Sequence, residues 1–223
     1  MAIDFPASPT NGQVYANYIY DSSITAWRNA NTDTGIGTLN AMGLKNVVPT
    51  SIAVGSGSAT TNSNGTVTFS GVSSISLNGV FTSIYQNYRI IFTPSGSSAQ
   101  NTVYLRMRAS GVDTSSASYN FASSAMRDSN VSFGLSGSSI AAFWLNYYNG
   151  PGSGQGTGTS IVDILNPKNT YTTATWVSRG SDGTSAFYLT GAGTLYSGNY
   201  DGITMLPSTG TFNGTMTVYG YSN

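Results

Sequence analysis

Residues 72–92 read Val72-Ser73-Ser74-Ile75-Ser76-Leu77-Asn78-Gly79-Val80-Phe81-Thr82-Ser83-Ile84-Tyr85-Gln86-Asn87-Tyr88-Arg89-Ile90-Ile91-Phe92. Ile75 and Leu77 alternate with serines, the period-two pattern of a half-buried strand. Asn78-Gly79 ends that strand, because both residues tolerate positive φ and suit a turn. Phe81, Tyr85 and Tyr88 follow as an aromatic cluster. Arg89-Ile90-Ile91-Phe92 is then β-branched and aromatic, as expected of a strand covered on both faces. The stretch predicts strand, aromatic connection, strand, and so an all-β module.

The composition agrees. Of 223 residues only 7% are charged, against roughly a quarter in an ordinary soluble domain. With 39% hydrophobic residues and 15 tyrosines, disorder does not explain that shortage. Ser, Thr, Asn and Gly supply the polarity, and they favour strands and turns over helix interiors. Eight Lys and Arg balance eight acids, all of them Asp, so no field draws the chain to nucleic acid or anionic lipid. Cysteine is absent, which excludes a disulfide framework and a thiolate metal site. The opening Met1-Ala2-Ile3-Asp4-Phe5-Pro6 is not a signal peptide, and the apolar run 140–145 is too short to span a bilayer. A protein made in the cytoplasm without export is the expectation, with no membrane insertion and no nucleic-acid partner.

From the N-terminus, Pro6 and Pro9 fix extended backbone before an Asn11-Gly12 turn. Residues 14–20 read as a strand with Tyr18 and Tyr20 on one face, 21–23 as a turn, and 24–28 as a strand carrying Trp27. So small a unit needs another surface to bury its rings. Residues 29–46, with Gly35, Gly37 and Gly43, read as a linker with one helical turn near 39–44. Residues 47–54 are an edge strand or connector interrupted by Pro49, 55–65 a loop, and 66–70 a strand. In 103–109, Val103, Leu105 and Met107 face one way and Tyr104, Arg106 and Arg108 the other, with the arginines expected to meet Asp at a subunit boundary. Further strands are expected at 131–135, 140–148, 160–165, 173–178, 185–190, 202–206 and 211–221. Turn signals about every 8–12 residues suit an antiparallel β-sandwich, jelly-roll-like, better than one open sheet. The alternating glycines of 150–158 read as a surface loop. The expected division is an N-terminal hairpin (1–30), a linker with an edge strand (31–64) and a β-sandwich body (65–223).

Two segments carry a resemblance. Phe5-Pro6-x-Ser8-Pro9-Thr10-x-Gly12-Gln13-x-Tyr15, with Tyr20-Asp21 and Thr25-Ala26-Trp27, resembles an aromatic hairpin of tailed-bacteriophage fibre and tail proteins. Tyr20-Asp21-Ser22-Ser23 stands where that pattern has Trp-Asp-Gly. Residues 49–57, 65–81 and 85–90, continued by Leu105-Arg106-Met107-Arg108, Gly111 and Tyr119, resemble a β-rich module of phage virion fibres. The resemblance implies a homotrimeric structural protein on the virion surface, docked on other virion proteins through Phe5, Pro6, Pro9, Tyr15, Tyr18, Tyr20 and Trp27. A capsid-decorating protein bound to the phage head is the alternative.

Chemistry has little to draw on. The chain has no His, Cys or Glu, so the usual general bases and metal ligands are missing and no cofactor is expected. Asp163, Asp182 and Asp201 read as turn caps or arginine partners rather than a glycosidase pair. Asp128-Ser129-Asn130 reads as a turn rather than the start of a calcium loop. A non-enzymatic binding role fits better. Asn146, Tyr147, Tyr148, Trp176, Tyr196, Asn199, Tyr200 and Asp201 supply rings beside amides and a carboxylate, a platform for host cell-surface polysaccharide. Subunit packing would use the same aromatics, and the two readings stay open.

Overall fold

The computed structural model describes residues 6–15, 18–22, 25–29, 43–99, 101–128, 132–148, 158–181, 186–196 and 198–222. Among them the regular elements are strands, and helix is absent. Two units separate: Met1–Lys45 with Ser222–Asn223, and Asn46–Tyr221.

In the first unit, β1 (Val14–Tyr15), β2 (Tyr18–Asp21) and β3 (Ala26–Asn29) form a three-stranded antiparallel sheet. The stretch expected as one strand is two. The Gly12 N–H donates to the Tyr20 carbonyl at 2.8 Å, and the Tyr20 N–H to the Gln13 carbonyl at 2.9 Å. Trp27 gathers the rings of Tyr20 (centroids 5.5 Å apart) and Tyr15 (6.2 Å). Pro6, Pro9, Tyr18, Tyr20 and Trp27 are half-buried, and Tyr15 is exposed. Phe5 lies outside the described residues.

The second unit is an antiparallel sandwich, as the turn spacing predicts. Its strands are β5 (Ser51–Val54), β6 (Ser58–Thr61), β7 (Val67–Val72), β8 (Ile75–Asn78), β9 (Asn87–Ser97), β10 (Asn101–Ala109), β11 (Val112–Asp113) and β12 (Tyr119–Arg127). They continue with β13 (Ser132–Ile140), β14 (Phe143–Tyr148), β15 (Gly158–Leu165), β16 (Tyr171–Ser181), β17 (Ala186–Tyr196), β18 (Gly202–Pro207) and β19 (Phe212–Ser222); β4 (Gly43–Val47) straddles the boundary of the units. The larger sheet runs β13-β12-β17-β16-β15-β9-β19-β7-β6. The smaller runs β11-β10-β18-β8-β5, with β14 also pairing β10.

Period two decides what lies between the sheets. Ile75, Leu77, Tyr88, Ile90, Phe92, Leu105 and Met107, the core expected from sequence, are all fully buried in one cluster. Phe81 and Tyr88 meet edge to face at 4.8 Å, and the Tyr88 hydroxyl donates to the Thr82 carbonyl while accepting from the Thr82 N–H. Gly79 sits at φ +68, where a Cβ would strike the Thr50 side chain at 2.3 Å, so the Asn78-Gly79 turn needs glycine. At the other end of the core, Tyr119, Phe121, Phe143 and Trp176 pack together, with centroid separations of 4.8–6.0 Å.

Four expectations need correction. Residues 46–64 fall in the body unit: β5 takes the edge of the smaller sheet beside β8, in keeping with the edge strand expected over 47–54, but β6, read as loop, is a strand paired with β7. Gly43 and Leu44 lie in a strand, not a helical turn; residues 30–42 are outside the described residues. Arg89 and Ile91 face the outside of the larger sheet, so β9 is covered on one face only. Arg108 finds its acid in its own chain: it is buried and hydrogen-bonds Asp113, Asn78, Ser76, Thr204 and the Gly111 carbonyl. A short loop folds Asp113 back over β10, which needs no second subunit.

Candidate functional site

The outer face of the larger sheet carries an open trough, and cross-strand register explains it. One row across six strands reads Ala122, Ala192, Thr175, Asp163, Arg89, Tyr219. The next reads Ser124, Thr190, Val177, Ile161, Ile91, Thr217. Small side chains over β12, β17 and β16 meet larger ones over β15 and β9, which leaves a depression of about 770 Å³. Past Ala192 it continues into a second hollow of about 500 Å³, lined by Asn120, Gly137, Ser138, Thr173 and Thr194. The floor is mostly methyl and hydroxyl groups. Beneath it, on the inner face, the Trp176 indole lies across Gly191.

Rings stand at both ends. Tyr171 and Tyr196 are cross-strand partners, edge to face at 5.5 Å, and are 63% and 52% exposed. Tyr188, eight residues from Tyr196 on β17, stands about 26 Å away along the strand. The Arg179 guanidinium lies 5.9 Å from the Tyr188 ring centroid. Met126 and Ile161 are also exposed on this face. Apolar groups thus alternate with hydroxyls along its length.

One wall holds a charged triad. Nε and Nη2 of Arg89 donate to the two oxygens of Asp163 at 2.8 Å each. The Tyr221 hydroxyl donates to Asp163 Oδ1 at 2.6 Å, and the Arg89 Cζ lies 5.5 Å from the Tyr221 ring centroid. Burial opposes ionisation of Asp163, but the bonds from Arg89 and Tyr221 outweigh it and hold the carboxyl below its ordinary value. Burial and the bond to Asp163 push the Tyr221 phenol up to about 12. The bond to Asp163 likewise raises Arg89. Asp163 is thereby a fixed structural anion rather than a poised acid or base. Among the described residues no three His, Cys, Asp or Glu side chains lie close enough to hold a metal ion.

The residues expected to bind glycan do not come together. Trp176 is 2% exposed and Tyr200 1%; both are core. Trp176 occupies an inward position of β16, and Tyr200, in the chain leading into β18, is buried in the core cluster with its N–H bonded to the Pro167 carbonyl. Asp201 uses Oδ2 to accept the Ser110 N–H. Asn199 is exposed and has a positive φ of +70. Asn146, Tyr147 and Tyr148 lie in β14, paired with β10 in the smaller sheet, and their side chains are outside the described set. Of the five whose side chains are described, Tyr196 is the one that stands exposed on the trough's face. Sequence reasoning missed Tyr171, Tyr188 and Arg179, although all three sit at outward positions of strands that alternate cleanly. Asp182 and residues 149–157 lie outside the described residues, so the expected surface loop over 150–158 is described only at Gly158, which begins β15. Asp128 accepts the Ala186 N–H through Oδ2, consistent with a turn.

No family model and no curated protein matches the chain. Among solved structures, it is similar to the catalytic domain of an endo-1,3-β-glucanase (laminarinase) from Thermotoga petrophila RKU-1, 13% identical, covering 74% of this chain and 75% of that one, at a TM-score of 0.19. The laminarinase catalytic domain from Thermotoga maritima MSB8 is similar at 14% identity and the same coverage, with a TM-score of 0.20. At those TM-scores neither likeness bears on the function of this chain.

Proposed function

We propose that this chain is a surface fibre subunit of a tailed-bacteriophage virion, docked through its N-terminal aromatic unit and binding host-surface polysaccharide along the trough of its body. The trough carries the binding part of this reading: a long floor of small and hydroxyl side chains ending in exposed rings. Pyranose rings offer C–H faces to aromatics and hydroxyls to Ser and Thr, so a glycan chain laid along the strands meets both kinds of partner. The N-terminal resemblance and the Tyr15–Trp27–Tyr20 ring contacts support the docking part. Five of the body's exposed large apolar side chains, Met126, Ile161, Tyr171, Tyr188 and Tyr196, share this one face. Such clustering marks an interaction surface.

The test uses the full chain on an array of host-type polysaccharides, alongside Ala192→Leu. Ala192 is exposed at the centre of the floor, so leucine there fills the trough without touching the core. Glycan binding should be lost with the melting temperature unchanged, and antibody to the body should label the particle surface. Equal binding by both proteins would overturn the trough. Self-association of the native chain that Ala192→Leu abolishes, without any glycan bound, would make this face a subunit contact and favour capsid decoration.

A further inference from the structure

We propose that the polysaccharide held in this trough is acidic, and that Arg179 is the side chain that reads its anionic groups; the inference rests on the polysaccharide reading above. Among the described residues, three charged side chains line the trough: Arg89, Asp163 and Arg179. The first two cancel in a two-point ion pair, and Tyr221 takes a further share of the same carboxylate. That leaves Arg179. No carboxylate of a described residue lies within ion-pair distance of it. Its cross-strand neighbours are Thr159 and Tyr188, and Val177 and Thr175 share its face of β16. None is an acid.

The chain has only eight basic residues, so an exposed one on the face with the trough, with no acid among its described neighbours, needs a reason. Its setting supplies one. A guanidinium against a tyrosine ring is held in place by the cation–π contact, which leaves its N–H edge to grip a carboxylate, sulfate or phosphate in a two-point geometry. The Thr190 and Ser124 hydroxyls, in the adjoining row, are placed for the neutral part of the same sugar. A neutral glycan would leave the guanidinium without an anionic partner. Nucleic acid would require many phosphate contacts, which a single guanidinium in a chain of zero net charge does not provide.

The experiment presents the full chain with an array of matched neutral, uronate-, sialate-, sulfate- and phosphate-bearing glycans. Native protein, Arg179→Gln, Arg179→Lys and Ala192→Leu are compared at low and high salt. Acidic glycans should bind to the native chain and weaken with salt. Arg179→Gln should lose about tenfold or more on those glycans, as expected for one charge-assisted contact, with no change on neutral ones. Arg179→Lys should recover part of the loss, since it keeps the charge but not the fork. The acidic classes retained by the native chain identify the anion. If the bound glycans are neutral, or acidic ones survive Arg179→Gln undiminished, the inference fails while the trough stands. If no glycan binds in a manner sensitive to Ala192→Leu, the polysaccharide reading fails and this inference with it.

Discussion

In a Gly191→Ala variant the new Cβ lies 2.4 Å from Cζ2 and 2.5 Å from Cε2 of Trp176, and 2.8 Å from the Ser123 Cβ. Carbon atoms in good contact sit about 3.5–4.0 Å apart, so the overlap with the indole is on the order of an ångström. The indole has little room to retreat, because Phe121 and Phe143 flank it at 6.0 and 5.8 Å between centroids. Overpacking of this kind costs about 1–3 kcal/mol. Removing a strand glycine returns about 0.5–1 kcal/mol, which offsets only part of it. At roughly 2–4 °C per kcal/mol for a body of this size, the melting temperature should fall by several degrees. Trp176→Ala alone should cost about 3–5 kcal/mol. The double variant is decisive: without the indole, the added methyl group loses its main obstacle and should be neutral or mildly stabilising. Thermal unfolding followed by circular dichroism across the four proteins gives a coupling of about 1–3 kcal/mol. An alanine substitution at this glycine that stabilises the native background, or costs as much in the Trp176→Ala background, would refute this packing.

Three further outcomes follow from the ionisable groups. Because the Asp163 carboxyl is held below its ordinary value, its contribution to stability is fully present above the unfolded pKa and is lost as pH falls through the folded one. Urea midpoints should therefore drop in acid, and Asp163→Asn should flatten that limb; an unchanged limb would count against the triad. Tyr221, pushed up to about 12, works in the opposite direction: its contribution holds below its ordinary value near 10.0 and is lost as pH rises toward 12. Arg108→Ala removes the donors that reach Asp113, Asn78, Ser76, Thr204 and the Gly111 carbonyl, and leaves the Asp113 carboxylate with Thr204 alone of these. Breaking a buried pair in this way costs about 3–5 kcal/mol, and a melting temperature within about a degree of native would show the cluster to be dispensable.

Where inward positions hold large apolar residues, the fold was legible in the sequence. Ile75, Leu77, Ile90, Phe92, Leu105 and Met107 announce their faces because most of their neighbours in alternation are polar or charged. β12 went unread because its inward positions shrink along the strand, from Tyr119 and Phe121 to Ser123 and Ala125, while Ala122 and Met126 point out. The eye finds no period there. β6, Ser-Ala-Thr-Thr, looks like loop because only pairing with β7 makes it a strand. The trough escaped for a related reason: it is defined by small residues from three strands that become neighbours only through register. Trp176 was misplaced because an aromatic beside β-branched residues looks equally suited to a surface or a core, and parity within β16 decides between them.

β19 runs between β9 and β7 in the interior of the larger sheet. The two strands it joins both precede it by more than a hundred positions, so much of the chain must be ordered before the sheet becomes continuous. Contacts of such sequence separation are slow to form, and until they do β7 and β9 each present an unpaired edge open to pairing between chains. The turn before β19 passes through Ser208, Thr209 and Gly210, all exposed. A protease cutting there would strike the rim of the molecule, yet it would free from its covalent tether the strand on which the continuity of the whole larger sheet depends.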